Sequence, residues 1–255
     1  MSFTIAITGK GGVGKTTVAG LVISRLIAAG RQPVLAVDAD PNTCLDLVLG
    51  VRVEKTIGGV REEARVIAGQ GMAAGASKQE LLELKIAESL VEAKDFDLIA
   101  MGRPEGPGCY CFANNVLKQA IGHLTAEYPY VVIDNEAGLE NLSRRLVQKV
   151  DVMVMVADPS ARGLETVRRL HELAREMDIN YGRLVLVINR LRRDELPEGA
   201  EALRQHTGAC CVVGLPDDEA LALQDERGVS LSQLPAGNAV VQRIDRLLAD
   251  VMTKN

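Results

Sequence analysis

Short apolar runs recur along the chain, and most are followed by stretches in which apolar positions return every three to four residues. The runs predict strands over 3–8, 33–38, 97–101, 130–134, 151–156, 183–188 and 210–214. Tyr130-Val131-Val132-Ile133 and Val152-Met153-Val154-Met155-Val156 show no polar alternation, the pattern of strands covered on both faces. The intervening periodicity predicts helices over 17–29, 78–93, 113–127, 160–177 and 236–252. In the first of these, Val18, Leu21, Val22, Leu26 and Ile27 share one face. Strands alternating with helices predict an α/β fold, a mostly parallel twisted sheet with helices on both faces. No repeat, low-complexity tract or linker interrupts the series, so one domain is expected over 1–255. Val51 to Gly75 departs from the pattern, and its glycines predict mobile loops around a short helix.

The junction between the first strand and the first helix changes this picture from architecture to chemistry. Residues 9 to 17 read Gly-Lys-Gly-Gly-Val-Gly-Lys-Thr-Thr, and Gly9, Gly14, Lys15 and Thr16 complete a phosphate-binding loop. Its glycines let successive N–H groups point inward as an anion nest, and the helix behind it presents its positive end. The expected nucleotide contacts are Gly11, Gly12, Val13, Gly14, Lys15, Thr16 and Thr17, with Lys15 on the β- and γ-phosphates and the Thr16 hydroxyl on Mg²⁺. Lys10 is a second lysine that the motif does not require. Carboxylates stand at the ends of two other strands: Asp38 and Asp40 in Asp38-Ala39-Asp40-Pro41-Asn42, and Asp134 in Asp134-Asn135-Glu136-Ala137-Gly138. Such groups suit a metal ion and its water, and Gly138 is placed to give its N–H to a γ-phosphate.

Composition narrows the partners. The 255 residues are 47% hydrophobic and 25% charged, with a net charge of −5, which argues against a broad nucleic-acid surface. No run of about 18 apolar residues exists to span a membrane. The last predicted helix lacks the aromatic and strongly basic character of a membrane-surface helix. With a strand beginning at residue 3, a signal peptide has no room, and a cytoplasmic location is expected. Five cysteines do not read as a disulfide framework; Cys44, Cys210 and Cys211 are expected to be buried as small hydrophobes.

With these residues assembled, the chain resembles the deviant-Walker-A ATPases, which include the Min-type division ATPases, the Par-type partition ATPases and the nitrogenase iron protein. The resemblance implies that Lys10 crosses a nucleotide-dependent homodimer interface to the phosphates of the other subunit. It implies that Asp40 positions or activates the attacking water, with Asp38 and Asp134 near magnesium. It also implies adenine recognition by Asn189 and Arg190 and by the loop Leu215-Pro216-Asp217. Asn189 is followed by Arg190-Leu191, not by the guanine-specific N-K-x-D pattern, so ATP and ADP are the expected nucleotides.

Cys109 and Cys111 lie two apart behind Gly102-Arg103-Pro104-Glu105-Gly106-Pro107-Gly108. In extended backbone both thiols face one side, and a twofold dimer would bring four thiolates to one tetrahedral site, where soft thiolates select Zn²⁺, Ni²⁺, Cu⁺ or iron–sulfur chemistry over Mg²⁺. The stretch from Gly102 to Cys111, with Asp-Asn-Glu-Ala-Gly-Leu-Glu downstream, resembles the CooC-type ATPases, which mature nickel-containing carbon monoxide dehydrogenase and whose relatives serve acetyl-CoA synthase. That resemblance implies Ni or Zn held by Cys109 and Cys111 of both subunits, and ATP-driven delivery of nickel to the apo-enzyme. The only histidines are His123, His171 and His206, so transfer of one ion per dimer is expected, not storage. Two alternatives remain. One is a reductase like the nitrogenase iron protein with a bridging [4Fe–4S] cluster, against which stands the lack of cysteine in Asn135 to Arg145. The other is a Min- or Par-type positioning ATPase on membrane or DNA.

Overall fold

The computed structural model describes residues 2–59, 84, 86–103, 118, 122, 124, 127–139 and 150–253. Cys109 and Cys111, most of the segment from Val51 to Gly75, part of the helix expected over 78–93 and most of that expected over 113–127 lie outside them. The described strands are β1 (Phe3–Gly9), β2 (Val34–Ala39), β3 (Val91–Glu92), β4 (Phe96–Ala100), β5 (Tyr130–Asn135), β6 (Val150–Ala157), β7 (Tyr181–Leu191) and β8 (Cys211–Pro216). They form one sheet in the order β3-β4-β2-β5-β1-β6-β7-β8. Every pairing is parallel except the short antiparallel edge of β3 on β4. The helices described along their whole length include α1 (Lys15–Ala28), α2 (Leu45–Leu49), α3 (Ala161–Glu176), α4 (Ala200–Thr207), α5 (Glu219–Arg227) and α6 (Ala239–Met252).

The continuous apolar runs divide between two cores because successive strand residues point to opposite faces. Val131, Ile133, Met153 and Met155 join Leu164, Val167 and Ala174 of α3 on one face. Val132, Val152, Val154 and Val156 join α1 and α6 on the other. Helix α6 places Val240, Val241, Ile244, Leu247, Leu248 and Val251 in that core, which accounts for its amphipathic pattern. Among the described residues no helix is long and apolar enough to cross a membrane.

Three expectations are corrected. Residues 91–92, expected at the end of a helix, form β3; a helix is present at 84 and 86–88 and gives way to a turn before them. Cys44 is exposed because it caps the start of α2 and faces outward. Cys210 is also exposed and Cys211 half-buried, since β8 is the edge of the sheet and Cys210 precedes it. Helices α2, α4 and α5 fall in intervals where helices are expected but given no bounds; with 5, 8 and 9 residues they carry too few turns for a periodic signal to delimit them.

Candidate nucleotide site

The C-terminal ends of β1, β2 and β5, adjacent in the sheet, bring the phosphate loop, Asp38 and Asp134 to one edge. This is where ligands bind in open parallel α/β sheets. The loop turns into α1 at Gly14, whose φ of 91° lies in the left-handed region. A Cβ at Gly14 would run into the Asn189 side-chain amide, so glycine is required by both conformation and space. The first turn of α1 carries no acidic residue, which leaves its positive end free for phosphate. Lys15 is buried, 8% exposed, and its Nζ donates to the Lys10 carbonyl at 3.3 Å, which holds the ammonium over the loop. Lys10 itself is exposed. The two lysines therefore have opposite environments, one folded into its own loop and one facing outward.

Asp38 is fully buried at the end of β2 and organises the segment that follows it. Its carboxylate accepts from the N–H groups of Asp40 at 3.1 Å, Cys44 at 2.9 Å and Leu45 at 3.0 Å. Burial pushes its pKa up to about 6, against the opposing pull of these hydrogen bonds. Asp40 is half-buried, and its Oδ1 accepts from the Asn42 backbone N–H at 2.8 Å and side-chain amide at 3.0 Å.

Asp134 is 1% exposed, and burial pushes its pKa up to about 7 despite a hydrogen bond from the Thr16 hydroxyl. Its Oδ1 is buried with no hydrogen-bond partner. A buried carboxylate oxygen left unmatched costs free energy unless a ligand meets it. Oxygen donors from Thr16 and Asp134 beside a phosphate loop are the set a hard cation such as Mg²⁺ selects, so the residues present fit that ion. Among the described residues no cluster of three or more His, Cys, Asp or Glu side chains forms a metal site.

Gly138, with φ 96°, donates its N–H to the Gly9 carbonyl at 3.2 Å, and its own carbonyl accepts from the Thr8 hydroxyl at 2.5 Å. The N–H expected to meet a γ-phosphate is thus tied here to the start of the loop. From the other side, β7 braces the loop: Asn189 Nδ2 donates to the Val13 carbonyl at 2.9 Å, and Arg190 Nη1 to the Gly12 carbonyl at 3.2 Å. One amide hydrogen of Asn189 is therefore committed to the loop. Leu215 is 1% exposed within the core, so it reaches a ligand only through its backbone; Pro216 is half-buried and Asp217 exposed. Asp158, not singled out from sequence, ends up near Lys10; the Ser160 hydrogen bond first, and the Lys10 charge in addition, hold its carboxyl below the usual range. Its sequence signal is an aspartate directly after an apolar strand.

The raised carboxyls give the ligand-free protein a defined pH dependence. Asp38 and Asp134 titrate near 6 and 7 when folded, against an ordinary value of 3.8, so the folded chain holds protons that the unfolded chain has released. The associated stability is fully present below the unfolded value and is lost as pH rises through 6 and 7. Asp134→Asn removes one of these titrations. In urea unfolding without Mg²⁺ or nucleotide, the variant is expected to exceed wild type at pH 8 by on the order of a few kcal/mol, the gap closing toward pH 4. A gap that does not change with pH would contradict the assignment.

A glycine loop with its lysine between strand and helix, and an aspartate and a threonine sharing an unmatched oxygen site, define a P-loop nucleotide hydrolase. The chain belongs to the P-loop ATPase family whose model is described as an AAA domain, which matches residues 2–182. An ATP-binding protein of Methanocaldococcus jannaschii is 42% identical over 98% of both chains. The carbon monoxide dehydrogenase accessory protein CooC of Rhodospirillum rubrum is 30% identical, over 90% of this chain and 89% of its own. The fold matches that of the septum site-determining protein MinD of Pyrococcus horikoshii, solved with Mg-ADP, at a TM-score of 0.72 and 21% identity, covering 99% of this chain and 97% of that one. The chain is accordingly an ATPase built on the same mostly parallel sheet.

Proposed function

We propose that this ATPase is a metallochaperone: a homodimer that binds Ni²⁺ or Zn²⁺ through Cys109 and Cys111 of both subunits and drives nickel insertion into apo carbon monoxide dehydrogenase. The observation that carries the proposal is the similarity to the accessory protein CooC along nine-tenths of the chain, joined to the Cys-Tyr-Cys sequence behind Gly102-Arg103-Pro104. Loop N–H groups and Lys15 bind the β- and γ-phosphates of ATP, and Asn189, Arg190, Pro216, Asp217 and the Leu215 backbone take the adenine. Thr16 and Asp134 hold Mg²⁺, which neutralises phosphate charge. Asp40 orients a water for in-line attack on the γ-phosphorus. The bond to the β,γ-bridging oxygen breaks and leaves ADP and phosphate. Lys10 meets the charge that builds on the γ-phosphoryl oxygens of the other subunit's nucleotide, and its exposure in the single chain supports that outward role. Nucleotide closes the dimer and hydrolysis reopens it, so a metal site at the seam responds to the reaction. Supplying nickel-free apo-enzyme with Ni²⁺, ATP and this chain, and following the appearance of carbon monoxide oxidation, tests the proposal.

A further inference from the structure

Asp40 is held by its own loop, and that loop is held from outside. The Asn42 amide that donates to Asp40 accepts at its Oδ1 from the guanidinium of Arg103. The two residues are 61 positions apart in sequence. Arg103 stands just beyond β4, and the backbone there is fixed independently. The Met101 N–H donates to the Asp38 carbonyl at 2.8 Å, and the Met101 carbonyl accepts from the Gly58 N–H at 2.7 Å. Gly102 has φ 62°, and a Cβ on it would strike the Thr56 side chain. The exit of β4 is therefore joined to the segment after β2 through its main chain at Asp38 and through a side chain at Asn42. Arg103 also opens the stretch that leads through Pro104 to Cys109.

We infer that Arg103, acting through Asn42, is a positioning residue for Asp40 and the point at which the cysteine-bearing stretch acts on ATP hydrolysis. A cation on the amide oxygen polarises the carboxamide and strengthens its N–H bond to the Asp40 carboxylate. It also fixes which end of the amide faces Asp40. Without the guanidinium, the Asn42 side chain is free to rotate and Asp40 keeps only the Asn42 backbone N–H, so its orientation loosens, which costs rate and not substrate binding. The contact is exposed, so its loss costs little stability. The coupling half of the inference rests on the metallochaperone reading; the positioning half rests on the hydrogen bonds alone.

The test uses the full chain with Arg103→Ala and Arg103→Lys, measuring kcat, KM for ATP, melting temperature and the change in ATPase rate on saturation with Zn²⁺. Arg103→Ala is expected to lower kcat about tenfold at unchanged KM and melting temperature, with Arg103→Lys recovering most of the rate. The alanine variant is expected to bind Zn²⁺ as wild type does while losing the rate response. An unchanged kcat, or a KM and melting temperature that fall with it, overturns the positioning role. A lowered kcat with the Zn²⁺ response intact overturns the coupling. If the wild type binds no Zn²⁺ through its thiols, the metallochaperone reading and the coupling fall together, and the kcat result still decides the positioning role.

Discussion

Replacing Lys10 with alanine is expected to lower kcat for ATP hydrolysis about a thousandfold while leaving ADP affinity within about twofold of wild type. The expectation follows from the contrast between the two lysines. Lys15 is buried and anchored to the loop, which on the proposed reading keeps it on the nucleotide of its own subunit. Lys10 contributes its backbone carbonyl to that anchor, which alanine retains, while its side chain is exposed. A cation delivered to the γ-phosphoryl group from across an interface acts as an arginine finger does, stabilising charge in the transition state more than in the ground state. Loss of ADP affinity in step with kcat would mean that Lys10 binds phosphate within its own subunit. A second readout separates the cases: the variant is expected to remain monomeric with ATP in sedimentation velocity, under conditions that dimerise the wild type.

Changing Cys109 and Cys111 together to serine is expected to abolish binding of one Ni²⁺ or Zn²⁺ per dimer, with affinity falling by more than about a hundredfold. A soft or borderline ion is held by thiolate, and a serine hydroxyl stays protonated at neutral pH and makes a poor ligand. The expected loss is large because, in the proposed twofold-symmetric site, each substitution removes two donors. Cys210 and Cys211, whose sulfurs lie 3.9 Å apart on the sheet edge, supply the control. Their conversion to serine is expected to leave the stoichiometry unchanged. Retention of full metal affinity by the Cys109 and Cys111 double variant would place the metal elsewhere. Colour near 400 nm with bound iron would instead favour the cluster-bearing reductase.

The parallel sheet was legible because β5 and β6 contain the uninterrupted apolar runs 130–133 and 152–156, the pattern of two-sided burial. The phosphate loop was legible because a nest of N–H groups needs glycines at fixed spacing, Gly14 above all. What escaped is long-range or short. The bounds of helices α2, α4 and α5 escaped because the helices are too brief for a period to set them. The exposure of Cys44 and Cys210 depends on a helix cap and on which strand ends the sheet, and neither has a local signature. Asp38 was expected beside magnesium, and its role in gathering three backbone N–H groups appears only once its loop has closed. Asn189 was expected at adenine, and its bond to the Val13 carbonyl joins positions 176 residues apart. The tie from Arg103 to Asn42 is hidden for the same reason.

The measurement closest to the central claim is activation of nickel-free carbon monoxide dehydrogenase by Ni²⁺ and ATP with this chain present. Wild-type protein is expected to raise the rate of activation at limiting Ni²⁺, with a dependence on hydrolysable ATP. Lys15→Ala, which removes the proposed phosphate ligand, and Cys111→Ser, which removes a proposed metal ligand, are each expected to return the rate to that of Ni²⁺ alone. Equal activation by wild type, both variants and Ni²⁺ alone would contradict the account.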